Sequence, residues 1–160
     1  MLQAFSGRTA RPVQCARAQV GVTRAELRRM AQTAHDLNMA YFGNTNYPEK
    51  ESQNTVAIIK LANDQGDNRA GDYICITQRY YKAIYDAAPD HDIAAVTNPD
   101  STDAANIHAE ELAVQEFGGN IAGMGISKPP CGRNFRDCER LLARQRIPYA
   151  YWTRDGVVDG

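Results

Sequence analysis

His108-Ala109-Glu110, followed about twenty residues later by Pro130-Cys131 and then Cys138, constrains the fold of this chain more than any other feature. It supplies one imidazole, two thiols and one carboxylate. Zn²⁺ takes a His nitrogen at about 2.0–2.1 Å and a Cys sulfur at about 2.3 Å. A fold that uses these ligands must therefore bring three separate stretches of backbone to one point. Three protein ligands with a fourth position open mark a catalytic site, whereas four closed ligands mark a structural one. Such an ion lowers the pKa of water from about 15.7 toward about 7. A carboxylate beside such an ion can carry protons to and from that water, and Glu110 is the candidate.

The spacing of the cysteines adds a second constraint. Residues 132–137 separate Cys131 from Cys138. In one continuous helix the two would stand about 10 Å apart by rise alone, too far for two ligands of one ion. The segment is therefore expected to loop back, with a helix restarting near Asp137 or Cys138. His108 and Cys138 then each lie at a helix start, where the backbone dipole favours an anion such as a thiolate.

The pattern along the chain supplies those helices and a sheet to carry them. Residues 23–41 read as a helix, with Thr23 and Glu26 forming a capping box and Leu27, Met30, Ala34, Leu37 and Tyr41 on one face. Residues 55–62 and 72–77 are β-branched and apolar and read as a hairpin. Tyr80, Tyr81, Ile84 and Tyr85 suggest a short helix, and 93–97 a short extended piece. Residues 108–117 form the next helix, with Ala109, Leu112, Ala113 and Phe117 inward, stopped by Gly118-Gly119-Asn120. A strand at 121–127, a helix at 137–145, a strand at 149–153 and a terminal hairpin through Val157 and Val158 complete the order. The expected architecture is α/β in three layers: a mixed central sheet of about five strands, helices on both faces, and the last two strands antiparallel. Residues 1–22 read as a flexible leader and 23–160 as one domain.

With His108-Ala109-Glu110, Pro130-Cys131 and Cys138 in that order, the chain resembles the cytidine-deaminase-like superfamily of zinc-dependent deaminases over residues 23–158. The resemblance implies Zn²⁺ on His108, Cys131 and Cys138, with Glu110 as the proton shuttle. It also implies that the Ala109 N–H and the Pro129 carbonyl meet the exocyclic groups of the base. The family usually spaces its cysteines more closely, although branches with a longer loop exist. On that loop Arg133 and Arg136 would overhang the pocket and neutralise phosphates flanking the target base. The implied reaction is hydrolytic conversion of cytosine to uracil in nucleic acid, DNA favoured, on a single strand or a flipped base. The short terminal hairpin resembles the bacterial toxin-type branch. Its members are delivered from larger secreted proteins, act in a target cell's cytoplasm and are neutralised by an immunity protein. Two other readings fit the same residues: a deaminase of a free nucleoside, nucleotide or related base, and a zinc-stabilised binding module without turnover.

Charge and cysteine usage set the remaining bounds. No run approaches the roughly 18 apolar residues of a membrane span, so a soluble protein without a membrane partner is expected. The net charge is −1, yet residues 1–30 carry six Arg against Glu26, and residues 128–146 carry Lys128 and five Arg against Asp137 and Glu139. Two basic ends can flank a site for nucleic acid, and they can equally be solvated helix faces. Arg140 and Arg144 continue the positive strip beyond the cysteine loop. Cys75 lies in a strand and reads as a small buried hydrophobe, and Cys15 lies in the leader. His35 and His91 stand apart from the motif as surface residues, and Tyr47, Tyr80 and Tyr81 read as packing residues.

Overall fold

Leu27, Met30, Ala31, Ala34 and Leu37, spaced three or four apart, are all buried along one side of α1 (Arg24–Phe42). The helix begins where the sequence predicts. The Thr23 N–H donates to Glu26 Oε1, and the Glu26 N–H donates to Thr23 Oγ1, each at 3.1 Å, which satisfies donors that a helix start leaves open. The structure, a computed structural model, describes residues 19–42, 54–99, 107–132 and 137–160, without the side chains of Tyr41 and Phe42. Most of the predicted leader, with Cys15, and Tyr47 lie outside the described residues. Residues 20 and 22 are attached to the domain: the Val20 N–H donates to Ala62 O at 3.0 Å, and Val22 packs into the core.

The six strands are β1 (Val56–Leu61), β2 (Tyr73–Thr77), β3 (Ala95–Thr97), β4 (Ile121–Ile126), β5 (Tyr149–Thr153) and β6 (Gly156–Asp159). They form one mixed sheet in the order β3-β2-β1-β4-β5-β6. β1 is antiparallel to both β2 and β4, β2 is parallel to β3, β4 is parallel to β5, and β5–β6 is the antiparallel terminal hairpin. The sheet thus has six strands rather than about five. The extra one is β3, which exists by parallel pairing with β2 across only three residues. The remaining α-helices among the described residues are α2 (Lys82–Ala87), α3 (Ala109–Phe117) and α4 (Cys138–Arg144).

Strand alternation sorts the core into two layers. Val56, Ile58 and Cys75 face α1, whereas Ala57, Ile59, Ile74 and Ile76 face Ala109, Ala113 and Phe117 of α3 and Leu142 of α4. The central strands are apolar on both faces because both are covered. β4 carries glycine on one face: a Cβ at Gly123 would meet Leu27 and Val22 at 2.8 Å, and one at Gly125 would fall on the backbone of Met30 and Ala31. α1 can lie directly on β4 only because those side chains are missing.

Candidate metal centre

β2, β4 and β5 point the same way, and their C-terminal ends set the location of the site. β4 is clamped to β1 one residue past its end: the Ser127 N–H donates to Val56 O, and the Val56 N–H donates to Ser127 Oγ, both at 3.0 Å. The chain then runs through Lys128, Pro129 and buried Pro130 to half-buried Cys131. On the neighbouring side, Gln78 Nε2 donates to Ile107 O at 2.9 Å and steadies the backbone just before α3. His108 is the N-cap of α3 in an extended conformation, and its N–H donates to Glu111 Oε1 at 3.4 Å.

His108 Nδ1 lies 3.3 Å from the sulfur of Cys131 and 3.3 Å from that of Cys138. The three ligand atoms all fall within 4.8 Å of one another. Tetrahedral ligands about 2.0–2.3 Å from one ion stand roughly 3.5–3.8 Å apart, so the cluster already has the dimensions of a metal site. One nitrogen and two sulfurs form a donor set that suits zinc. The residues present fit the ion.

Across the long spacing, Cys131 and the start of α4 are joined directly by hydrogen bonds. α4 starts at Cys138, and its N-cap Asp137 takes a left-handed conformation (φ 53°, ψ 54°) while its carboxylate accepts the Arg140 N–H at 3.2 Å. The Cys138 N–H donates to Cys131 Sγ at 3.3 Å, and the Glu139 N–H donates to Cys131 O at 3.1 Å. Cys131 is thus docked on the first turn of α4. Arg133 and Arg136 lie outside the described residues.

Glu110 follows on the first turn of α3 with only 2% exposure, and its Oε1 has no hydrogen-bond partner. Burial raises its pKa, against the pull of Lys128. A buried acceptor left open is costly in a finished core, so this oxygen has the character of a site group. Burial also raises the pKa of the Cys138 thiol, and Glu110 adds to that; a bound cation reverses such a shift by deprotonating its thiol ligands. Ala109 is fully buried at the head of α3, and Pro129 is exposed at the mouth.

Lys128 is a residue of this site that the motif alone does not reveal. Burial lowers the pKa of its ammonium, while Glu110, Cys131 and Cys138 raise it, so its charge lies within electrostatic reach of all three. Its one signal in the sequence is a lysine three residues before Cys131. Arg140 pairs with Asp137 (Nε to Oδ2 3.1 Å), which leaves Arg144 as the freer charge on α4.

The other singled-out residues stand elsewhere. Cys75 is a free thiol, fully buried, with its pKa pushed up to about 12 by burial. His35 stacks on Trp152 with ring centroids 3.5 Å apart. Tyr80 is 61% exposed and leans on Tyr85. Among the described residues no helix is long and apolar enough to cross a membrane. No family model, curated protein or solved structure matches this chain.

Proposed function

We propose that the protein is a zinc-dependent hydrolytic deaminase that converts cytosine to uracil in nucleic acid, with DNA favoured. The observation that carries this reading is the meeting of His108 Nδ1 with the Cys131 and Cys138 sulfurs beside a buried carboxylate oxygen that has no partner. A structural zinc site needs no such carboxylate.

His108, Cys131 and Cys138 would hold zinc and leave its fourth position open. Bound there, zinc supplies the Lewis acidity that makes water a nucleophile near neutral pH. Glu110 takes a proton from that water and delivers protons to the ring nitrogen and the departing amine, so that water is consumed and ammonia released. The Ala109 N–H, at a helix start without an acceptor in its own helix, and the Pro129 carbonyl orient the base. Exposed Pro129, next to the half-buried cation of Lys128, supports a polymeric substrate over a free nucleoside. The amine-bearing carbon is inaccessible within a duplex stack, so the substrate is single-stranded or flipped.

The test is sequencing of single- and double-stranded DNA of mixed context after exposure to the zinc-loaded protein, with free cytidine assayed in parallel. C-to-U conversion in DNA that falls about 10²-fold or more in Glu110→Gln, with zinc content retained, is the expected result. Conversion of free cytidine alone moves the reading to a nucleoside deaminase. Zinc retention without turnover on either substrate leaves a binding module.

A further inference from the structure

We infer that the cleft between α1 and β2, on the face of the sheet away from the metal ligands, binds a free α-amino acid with an apolar side chain. The inference is independent of the chemistry proposed for the metal centre. The cleft encloses about 260 Å³. It opens where Lys60 pairs with Tyr73 in the β1–β2 ladder, at the far end from the Val56–Thr77 pair beside the metal site. Its floor is apolar, with Met30 4%, Ile58 1% and Ile93 8% exposed. Pockets for drug-sized molecules begin near 300 Å³, so the volume limits the occupant to a smaller compound.

The polar groups decide its chemistry. Glu26 is already engaged: Lys60 Nζ and the Tyr73 hydroxyl each donate to its Oε2 at 2.6 Å, and the Thr23 N–H donates to its Oε1. With its charge met by Lys60, it offers a ligand's ammonium less than an unpaired carboxylate does. Arg29 and Asp92 differ. Both line the cleft and act on the Tyr73 phenol in opposite senses, Arg29 easing its ionisation and Asp92 opposing it. They do not pair with each other, and among the described residues neither side chain has a hydrogen-bond or ion-pair partner.

Asp92 is also set firmly in place. It caps the 3₁₀ turn Ala88–His91 in a left-handed conformation (φ 62°, ψ 35°), with its N–H bonded back to that turn. It stands at the junction with a second hollow of about 220 Å³, which shares Tyr73 and Ile93. An unpaired cation and an unpaired anion lining one cleft with an apolar floor complement a small zwitterion. Its carboxylate meets Arg29, its ammonium meets Asp92, and its side chain covers Met30, Ile58 and Ile93. A nucleotide would bring its phosphates against Asp92, and a simple fatty acid would leave Asp92 without a counter-charge.

Exposed charge pairs are individually weak, so the affinity should lie near about 1–10 mM. The experiment is titration of the full chain with L-leucine, followed by amide chemical shifts and calorimetry. Saturable binding is expected, with shifts at residues 29, 73 and 91–93. N-acetyl-L-leucine, which lacks the ammonium, and leucine amide, which lacks the carboxylate, should each bind about tenfold more weakly. Asp92→Asn should weaken leucine and leave N-acetyl-leucine unchanged, while Arg29→Gln should weaken leucine and leave leucine amide unchanged. Both residues are exposed, so the variants keep the fold. No saturation by about 50 mM, equal affinity for the three compounds, or shifts centred on 108–131 would each overturn the assignment.

Discussion

On one face of the sheet a helix of 19 residues, with short α2 beside it, lies directly on β4, admitted by Gly123 and Gly125 and tied at its first turn by the Glu26–Lys60–Tyr73 network. On the other face two shorter helices, of nine and seven residues, begin beside one another and direct His108, Cys131 and Cys138 to a common point. The faces also treat a glutamate differently. The Glu26 carboxylate is surrounded by donors, and its pKa is held down at about 2 by Lys60 and Tyr73. Glu110 has an oxygen with no donor and a pKa raised by burial. A group whose partners are all present stabilises a fold, whereas one whose partner is missing is suited to receive something from outside.

Four substitutions probe that contrast. The largest effect is expected from Cys138→Ala, which removes one of three ligands; metal analysis should show zinc falling from about one ion per chain to background. Retention of zinc would remove α4 from the site. Next is Gly125→Val on the α1 face. Its side chain has only the Met30–Ala31 backbone to displace, so a loss of about 3 kcal/mol or more in urea unfolding is expected. A variant as stable as the parent would mean that α1 is not seated on β4.

The two glutamates allow the same change on opposite faces. Glu26→Gln should cost about 1.5–3 kcal/mol, the range for hydrogen bonds to a charged group. Its pH signature follows from the direction of the shift. The folded carboxylate titrates near about 2, below its ordinary value of 4.5. Its stabilisation is therefore full above about pH 4.5 and lost as the pH falls through about 2. Tyr73, raised from 10.0 to about 12 chiefly by burial and by Glu26, gives an alkaline counterpart that is full below about 10 and lost as pH rises through about 12. The variant should lose much of the acid limb in thermal unfolding across pH. Glu110→Gln, measured without metal, should be neutral or stabilise by up to about 1 kcal/mol, because a buried charge gives way to a neutral amide. A clear loss of stability in that variant would show that Glu110 is a structural acid like Glu26.

What could be read in advance was the part written in local pattern. The capping box at Thr23 and Glu26, the apolar side of α1, the β1–β2 hairpin and the helix starts at His108 and Cys138 all depend on neighbours within a few residues. The need for residues 132–137 to fold back followed from helix rise alone. The extended piece at 93–97 contains β3, but its place in the sheet is not legible in the sequence, because Ala95, Val96 and Thr97 carry no alternation of burial and become a strand only through β2. Lys128 has only its place three residues before Cys131 as a signal, since its role depends on how the chain runs after β4. The Glu26–Lys60–Tyr73 network joins residues up to 47 positions apart, and no periodicity encodes it. The need for glycine at 123 and 125 arises from α1 lying across β4, a long-range contact that no local pattern in that strand shows.

The base of the cysteine loop has an evolutionary consequence. Because the backbone of α4 grips both the sulfur and the carbonyl of Cys131, the two thiol ligands keep their separation without reference to what lies between them. Doubling the length of a flexible loop costs only about 0.6 kcal/mol in closure entropy. The number and charge of the residues between the two cysteines can therefore change in sequence while the contacts that fix the metal ligands stay in place. Specificity at the mouth can then diverge on a centre that does not have to change.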